Sequence, residues 1–235
     1  MSIVAQRRHE LNRRFWHWPD GTTVAAFLLV GTASSAWFVL LFGGSDLLTA
    51  HRSLRLPIHL PWERDIPLVP EAVWIYMTIY ALFLMAPFVL RTRQEIIALG
   101  LTHASLVAAA AIGFLAVPAR LAYPAIGDPA GNGVTAALYR VADRLNLDYN
   151  LLPSLHVALS VSCVAVYAPR ARRLGSSFLW LWAAAISVST IVTHFHHVLD
   201  AVTGFALGLA SARVVFPWTI DRLRGRWTAP PANHH

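Results

Sequence analysis

The stretch Thr193-His194-Phe195-His196-His197-Val198-Leu199-Asp200 lies where one long apolar run ends and the next begins. His196 and Asp200 are four residues apart, so on a helix they share one face, and the carboxylate can hold the imidazole in a single tautomer. Ionisable side chains are costly at the edge of a lipid-embedded segment, which makes this pair a candidate functional site. For such a pair in isolation, the alternative is a structural contact that closes a helix end.

The composition of the chain is typical of a membrane protein. Apolar residues make up 56% of the 235 residues and charged residues 13%, whereas soluble proteins average roughly 45–50% and 25%. No internal repeat or break in composition marks a second domain, so the length suits one compact bundle. The single cysteine, Cys163, excludes an intrachain disulfide.

Six apolar runs are long enough, or nearly so, to cross a bilayer: 22–42, 72–90, 96–117, 154–168, 177–192 and 197–216. A helix needs about 20 residues to cross ~30 Å of hydrocarbon, and the run 154–168 is shorter than that. We therefore expect this helix to start below the membrane surface, which recesses the turn at Pro153. The predicted fold is an all-α integral membrane protein with six transmembrane helices in one bundle over residues 21–218, an interfacial segment over 1–20 and a tail over 219–235.

The arginines predict the orientation in the membrane. All 19 basic residues are arginine. If both termini lie on one side, the opposite side carries only six of them: Arg52, Arg55, Arg64, Arg120, Arg140 and Arg144. The positive-inside rule then places both termini in the cytoplasm and the histidines of the site on the outer face. We expect a bacterial cytoplasmic (inner) membrane protein whose formal charge of +7 reflects topology and affinity for anionic membrane lipids, with no nucleic-acid partner.

A second polar group, Pro153-Ser154-Leu155-His156, opens the fourth apolar run. Proline suits the first turn of a helix, and the free amides of that turn can hold an anion. Arg120 directly follows the third run, where it is either an interfacial side chain or an anion clamp. Asp20 is a plausible N-cap of the first helix, and 134–145 is predicted to form a short surface helix.

Together these residues favour attack at phosphorus. His196 would be the nucleophile, and Asp200 would stabilise the imidazolium that forms. His156, as imidazolium, would donate a proton to the leaving group. Arg120 and the amides near Ser154 would neutralise the phosphoryl oxygens. Water as the acceptor makes such an enzyme a phosphatase, and an alcohol makes it a transferase.

Two non-enzymatic alternatives use the same histidines. His156, His194, His196 and His197 could supply nitrogens to zinc or haem. No cysteine or second carboxylate is well placed, so we predict neither a metal nor a cofactor. A transporter that passes protons through the outer histidines would also need polar groups along a path to the other side, and apart from His103 the helices show few.

These motifs also carry a resemblance to a known family. Pro153-Ser154-Leu155-His156 and the segment from Ser189 to Asp200 resemble the second and third signatures of the type 2 phosphatidic acid phosphatase superfamily. Those signatures read Pro-Ser-Gly-His, and Ser-Arg followed by five residues, His, three residues and Asp. The resemblance implies a six-helix bundle, His196 as nucleophile, Asp200 as its partner, His156 as acid, a lipid phosphate or phospholipid substrate and no metal.

The chain departs from the family pattern at its cations. The first signature is Lys, six residues and Arg-Pro, of which only Arg120 has a match, because Gly113 occupies the lysine position. Thr190 replaces the arginine of the third signature and Leu155 the glycine of the second. This pattern resembles the branch related to inositol phosphorylceramide synthases, which includes phosphotransferases. The expected substrate-binding set is Arg120, Ser154, His194 and Thr190, with His194 or Arg140 supplying the missing charge, while the lipid, the acceptor and the oligomeric state stay open.

Overall fold

The computed structural model describes residues 15–123, 133–147 and 149–228. Most of the predicted interfacial segment, 1–14, and the end of the predicted tail, 229–235, lie outside the described residues. The α-helices are α1 Gly21–Phe38, α2 Gly44–Ala50, α3 Val73–Tyr76, α4 Ile79–Val89, α5 Arg93–Ala116, α6 Val134–Asn146, α7 Leu155–Tyr167, α8 Arg173–Val192 and α9 Val198–Thr228. A π-helical turn, Val39–Gly43, joins α1 to α2, and single turns of 3-10 helix cover Pro61–Asp65, Pro70–Ala72 and Ala168–Arg170. Two short strands, β1 Leu56–Pro57 and β2 Ala119–Arg120, pair in parallel.

The predicted all-α membrane class is confirmed over the described residues. Five helical stretches are long and apolar enough to cross a bilayer: Gly21–Ala50, Pro70–Val89, Arg93–Ala116, Arg173–Val192 and Val198–Gly225. The predicted fourth run forms the shorter apolar helix Leu155–Arg170. The last helix continues to Thr228, past residue 218 where the bundle was predicted to end.

Two local sequence predictions are also confirmed. Asp20 caps α1, since its Oδ1 accepts the backbone N–H of Thr23 at 2.7 Å. The predicted surface helix is α6, and the hydroxyl of Tyr139 on it donates to the carbonyl of Thr193 at 2.7 Å. This bond ties α6 to the turn between α8 and α9.

The first helix extends past residue 42, the end of its apolar run. The π turn at Val39–Gly43 carries the chain on into α2. Such insertions leave a main-chain carbonyl outside the regular ladder and occur often at functional sites. Here the carbonyl of Phe42 accepts hydrogen bonds from Ser45 Oγ at 3.0 Å and from the side-chain amide of Asn150.

The second span is interrupted at Met77 and Thr78, between α3 and α4. The amide of Tyr80 donates to the carbonyl of Met77 at 3.3 Å and not to that of Tyr76 one turn back. The hydroxyl of Thr78 accepts the indole N–H of Trp182 on α8 at 2.7 Å, which anchors the break. The interruption therefore leaves the Tyr76 carbonyl available for a side chain.

The helices α7 and α9 lie backbone to backbone. Added Cβ atoms at Gly204 and Gly208 would overlap the carbonyl oxygens of Ser154 and Ala158. Small residues that allow this close approach are typical of helix pairs in membranes. Eleven of the 13 residues of α7 are buried, so this helix is surrounded by protein.

Candidate active site

The turn between α8 and α9 presents consecutive histidines to different surroundings. The carbonyl of Thr190 accepts the amides of Phe195 and His196, at 3.1 and 3.0 Å. His194 adopts a left-handed conformation with φ of 62°, which is costly for a residue other than glycine. Thr190 therefore positions the turn through its main chain, and its hydroxyl donates to the carbonyl of Ser187 at 2.8 Å.

His196 and Asp200 form the predicted pair. The imidazole Nδ1 lies 3.4 Å from Asp200 Oδ2, and the two side chains are 4% and 0% exposed. The same Oδ2 accepts the backbone N–H of His197 at 2.8 Å, as expected for an acidic residue in the first turn of a helix. Within the described part of the chain, neither His196 Nδ1 nor Asp200 Oδ1 has a hydrogen-bond partner. Catalytic hydrogen bonds often shorten only when substrate binds, so a separation of 3.4 Å is compatible with the predicted pairing.

His156 is held by the interrupted second span. Its ring stacks on Tyr76 with centroids 3.6 Å apart, and its Nε2 lies 2.7 Å from the Tyr76 carbonyl. A carbonyl oxygen only accepts hydrogen bonds, so Nε2 carries a proton and Nδ1 is the nitrogen left for chemistry. In the neutral ring Nδ1 accepts a proton, and it donates one only when the ring is doubly protonated. The sequence predicted only the donating role.

One cavity of about 510 Å³ brings the two histidines together. His156 and His196 both line it, with Tyr76, Asn146 and Asn150 nearby. The amide of Ser154 donates to the carbonyl of Asp200 at 2.9 Å, so the turn at Pro153 lies against the start of α9. The two histidines therefore face one cavity beside the junction of α7 and α9.

The four residues expected to bind substrate do not line this cavity. Arg120 is exposed on β2, where the parallel pairing with β1 holds its main chain. Ser154 is fully buried as the N-cap of α7, and its Oγ accepts the amide of Val157 at 3.4 Å. Thr190 holds the turn, as described above. None of the described lining residues is an arginine or a lysine, so the predicted cationic clamp is absent from the described part of the cavity wall.

His194 is turned toward the loops. Its Nε2 donates to the carbonyl of Ile66 at 2.9 Å, and its ring stacks on Tyr123 with centroids 3.9 Å apart. Burial lowers the pKa of His194 below the usual histidine value. Because His194 does not line the cavity, it does not supply the missing charge there.

Glu63 is the residue that sequence reasoning missed. It is fully buried, its Oε1 accepts the amide of Leu60 at 3.0 Å, and its Oε2 accepts the amide of Val198 at 3.1 Å. Its Oε2 also lies 2.8 Å from His197 Nδ1, while His197 Nε2 accepts the amide of Ala122 at 3.1 Å. His197 is therefore a neutral ring with its proton on Nδ1, and we call this arrangement the Glu63–His197 latch.

The latch joins three connecting segments at one end of the bundle. Glu63 lies in the segment before α3, Ala122 in the segment after β2, and His197 in the turn between α8 and α9. Burial lowers the pKa of His197, although the hydrogen bond to Glu63 acts in the opposite direction. The sequence held a partial signal for Glu63, because Pro61 and Glu63 take the first and third positions of a short helix, a typical N-terminal pattern. Nothing local in the sequence indicates its partner, which is 134 residues away.

Over the described ranges, no group of three or more His, Cys, Asp or Glu side chains is placed to hold a metal ion. Comparisons with protein-family models, with curated proteins and with solved structures found no match. The function has therefore to be inferred from the chemistry of the site.

Proposed function

We propose that the protein is a membrane enzyme that cleaves a phosphoester bond in a lipid headgroup through a phosphohistidine formed on His196. The observation that carries the proposal is the shared cavity, in which His156 faces the same space as a histidine backed by a buried carboxylate. Two imidazoles of which one is oriented by an acid suit nucleophilic attack combined with proton transfer. The resemblance of the two motifs to lipid phosphatase signatures supports the same chemistry.

The proposed reaction has two steps. First, His196 Nε2 attacks phosphorus, the bond from phosphorus to the leaving oxygen breaks, and doubly protonated His156 gives that oxygen its Nδ1 proton. Asp200 stabilises the positive charge that develops on His196. Then neutral His156 takes a proton through Nδ1 from water or an alcohol, whose oxygen attacks phosphorus and releases His196.

The charge of the cavity favours a phosphodiester over a phosphate monoester as the substrate. The described lining residues include neither arginine nor lysine, and 124–132 contain none in their sequence. A phosphate monoester carries roughly −1.5 to −2 charges at neutral pH, and a buried charge without a partner is costly. A phosphodiester carries a single charge, so we propose a phosphodiester lipid as donor. The resemblance to the inositolphosphotransferase branch supports an alcohol as acceptor.

We further propose six membrane crossings, both termini in the cytoplasm and the site on the extracytoplasmic side of a bacterial inner membrane. The unequal distribution of arginines supports this orientation. Cysteines introduced at the exposed positions Arg120 and Arg222 test it with a membrane-impermeant maleimide, since the native Cys163 is buried. Labelling of Arg120→Cys in intact cells and of Arg222→Cys only after permeabilisation is expected, and the reverse pattern would refute the orientation.

The enzymatic proposal is tested with purified protein and a panel of lipids labelled at the headgroup phosphorus. We expect label on the protein in an acid-labile, alkali-stable form that is lost in His196→Asn. Label that moves into a new lipid indicates transfer, and label that appears as free phosphate indicates hydrolysis. Absence of both labelled protein and labelled product across the panel contradicts the proposal, and stoichiometric haem or zinc in an absorbance scan and metal analysis would favour the non-enzymatic alternative.

A further inference from the structure

The cavity extends far from the two histidines. On α5 it is lined from Ile96 to Val107 along one face. At 1.5 Å per residue this is a length of about 16 Å. The cavity therefore runs from the two histidines toward the Arg93 end of α5, over about half of the ~30 Å thickness of bilayer hydrocarbon.

The deep part of the cavity suits hydrocarbon. No aspartate, glutamate, arginine or lysine occurs among its described lining residues. His103 is the one imidazole among the described residues of this deep part. Its Nε2 lies 3.7 Å from the Sγ of the buried Cys163 on α7, so this polar nitrogen is directed toward α7. The polar groups able to meet a headgroup are concentrated at the end that holds His156 and His196.

The cavity opens sideways between α1 and α4. The first helix packs chiefly on α5, where Val30 lies over Gly100, and it has far fewer contacts with α4. The indole N–H of Trp37 donates to the carbonyl of Ala104 at 3.0 Å and closes the α5 side. Tyr80 and Val39 line the cavity and are nevertheless 48% and 68% exposed, so the open side faces the surrounding lipid.

We propose that one long alkyl chain of the lipid substrate enters between α1 and α4 and lies in this cavity along α5, with its headgroup against His156 and His196. The placement of the headgroup rests on the proposed function. The chain site itself follows from the apolar wall, its length and its lateral opening. The occupant is a single chain, and a second chain of the same lipid would stay in the bilayer.

A photoreactive probe tests this placement without requiring turnover. Two single-chain alkyl phosphodiesters are compared in lipid nanodiscs, one with a diazirine at the end of the chain and one with the diazirine beside the headgroup. After illumination, peptide mass spectrometry should locate the first label near Phe27, Ile96 and Leu99, and the second near Tyr76 and Leu155. This correspondence between label position and depth is specific to a chain lying along α5.

A matched pair of variants on α1 sharpens the test. Ser34 lines the cavity, whereas the neighbouring Ala33 is exposed and lies outside it. Ser34→Leu should reduce the deep cross-links by about tenfold because it fills apolar space, and Ala33→Leu should leave them unchanged. In turnover assays Ser34→Leu should raise KM for long-chain substrates, and Ala33→Leu should leave that KM unchanged.

The outcomes separate this inference from the proposed function. Labels confined to the outer faces of the helices, or deep labels that persist in Ser34→Leu, would overturn the chain site even in an active enzyme. Deep labels that Ser34→Leu removes support the chain site, also in a protein that turns over no phosphoester. That last combination would overturn the proposed function and leave a lipid-chain site.

Discussion

His196 and His197 are adjacent in the chain and differ in almost every physical respect. His196 lines the cavity, and its Nδ1 has no hydrogen-bond partner. His197 is fully buried, and both of its ring nitrogens are bonded, to Glu63 and to the amide of Ala122. A buried side chain whose polar atoms are all bonded stabilises a fold, whereas a histidine in a cavity wall can meet a ligand. The comparison supports the proposed reactive role of His196 and gives His197 a structural one.

The strongest test of this comparison replaces each histidine by asparagine and compares the two variants. His196→Asn should reduce turnover on the order of 10³-fold or more, because it removes the nucleophile. Its thermal unfolding midpoint should stay near that of the wild type, since His196 Nδ1 makes no hydrogen bond. His197→Asn should lower the midpoint instead, and a turnover loss in His197→Asn as large as in His196→Asn would contradict the division.

The second prediction concerns the spacing between the two histidines of the cavity. Gly204→Ala places a methyl group against the carbonyl of Ser154 and should push the start of α7 away from α9. Misplacement of reacting groups by about 1 Å can cost about 10²-fold in rate. We expect a loss of that order in kcat, with Gly225→Ala as the control, because an added Cβ there meets nothing within 4 Å. Equal rates in the two variants would show that the approach of α7 to α9 does not position the site.

The third prediction concerns the latch. Glu63→Gln replaces one acceptor oxygen by an amide that faces backbone donors, and a buried group left without a partner costs about 1–3 kcal/mol. A lower unfolding midpoint is expected, with kcat of the folded fraction within about threefold of the wild type. The exposed Glu71→Gln is the control. A large loss of kcat at unchanged stability would instead indicate that Glu63 takes part in the reaction.

The smallest expected effect is a dependence of stability on pH. Because burial lowers the pKa of His197, the unfolded chain binds a proton more readily than the folded protein does. Stability should therefore fall as the pH drops below about 6.5, the usual histidine pKa. His194 acts in the same direction for the same reason. In His197→Gln the unfolding midpoint should depend less on pH than in the wild type, and an identical dependence would mean that His197 has the same pKa in the folded and unfolded states.

Much of the fold could be predicted from the sequence because lipid imposes simple requirements. Long apolar runs must form helices, which satisfy their own main-chain hydrogen bonds, and Asp20 marks the start of the first by a local rule. The approach of His156 to His196 was predictable from spans that alternate in direction. His156 lies in the first turn of α7 and His196 just before α9, with the single helix α8 between them.

The remaining features of the fold and the site depend on contacts between residues far apart in the chain. Such contacts leave no local pattern in the sequence. Position alone left Arg120 either interfacial or an anion clamp, and the family resemblance favoured the clamp, whereas it is exposed on β2 and does not line the cavity. The latch joins Glu63 to a histidine far along the chain, and the interrupted helix that frees the Tyr76 carbonyl occurs in an unbroken apolar run without proline or glycine at the break. Helix propensity is overridden there by the anchoring of Thr78 to Trp182.

The enclosure of α7 has a consequence for biogenesis. At about 20 Å, this helix of 13 residues is too short to be held in a bilayer by lipid alone. Its neighbours are apolar enough to insert independently, and association of helices follows insertion. We therefore expect α7 to be retained only when α8 and α9 have been synthesised and have closed around it, so that chains truncated before α9 expose it to quality-control proteases.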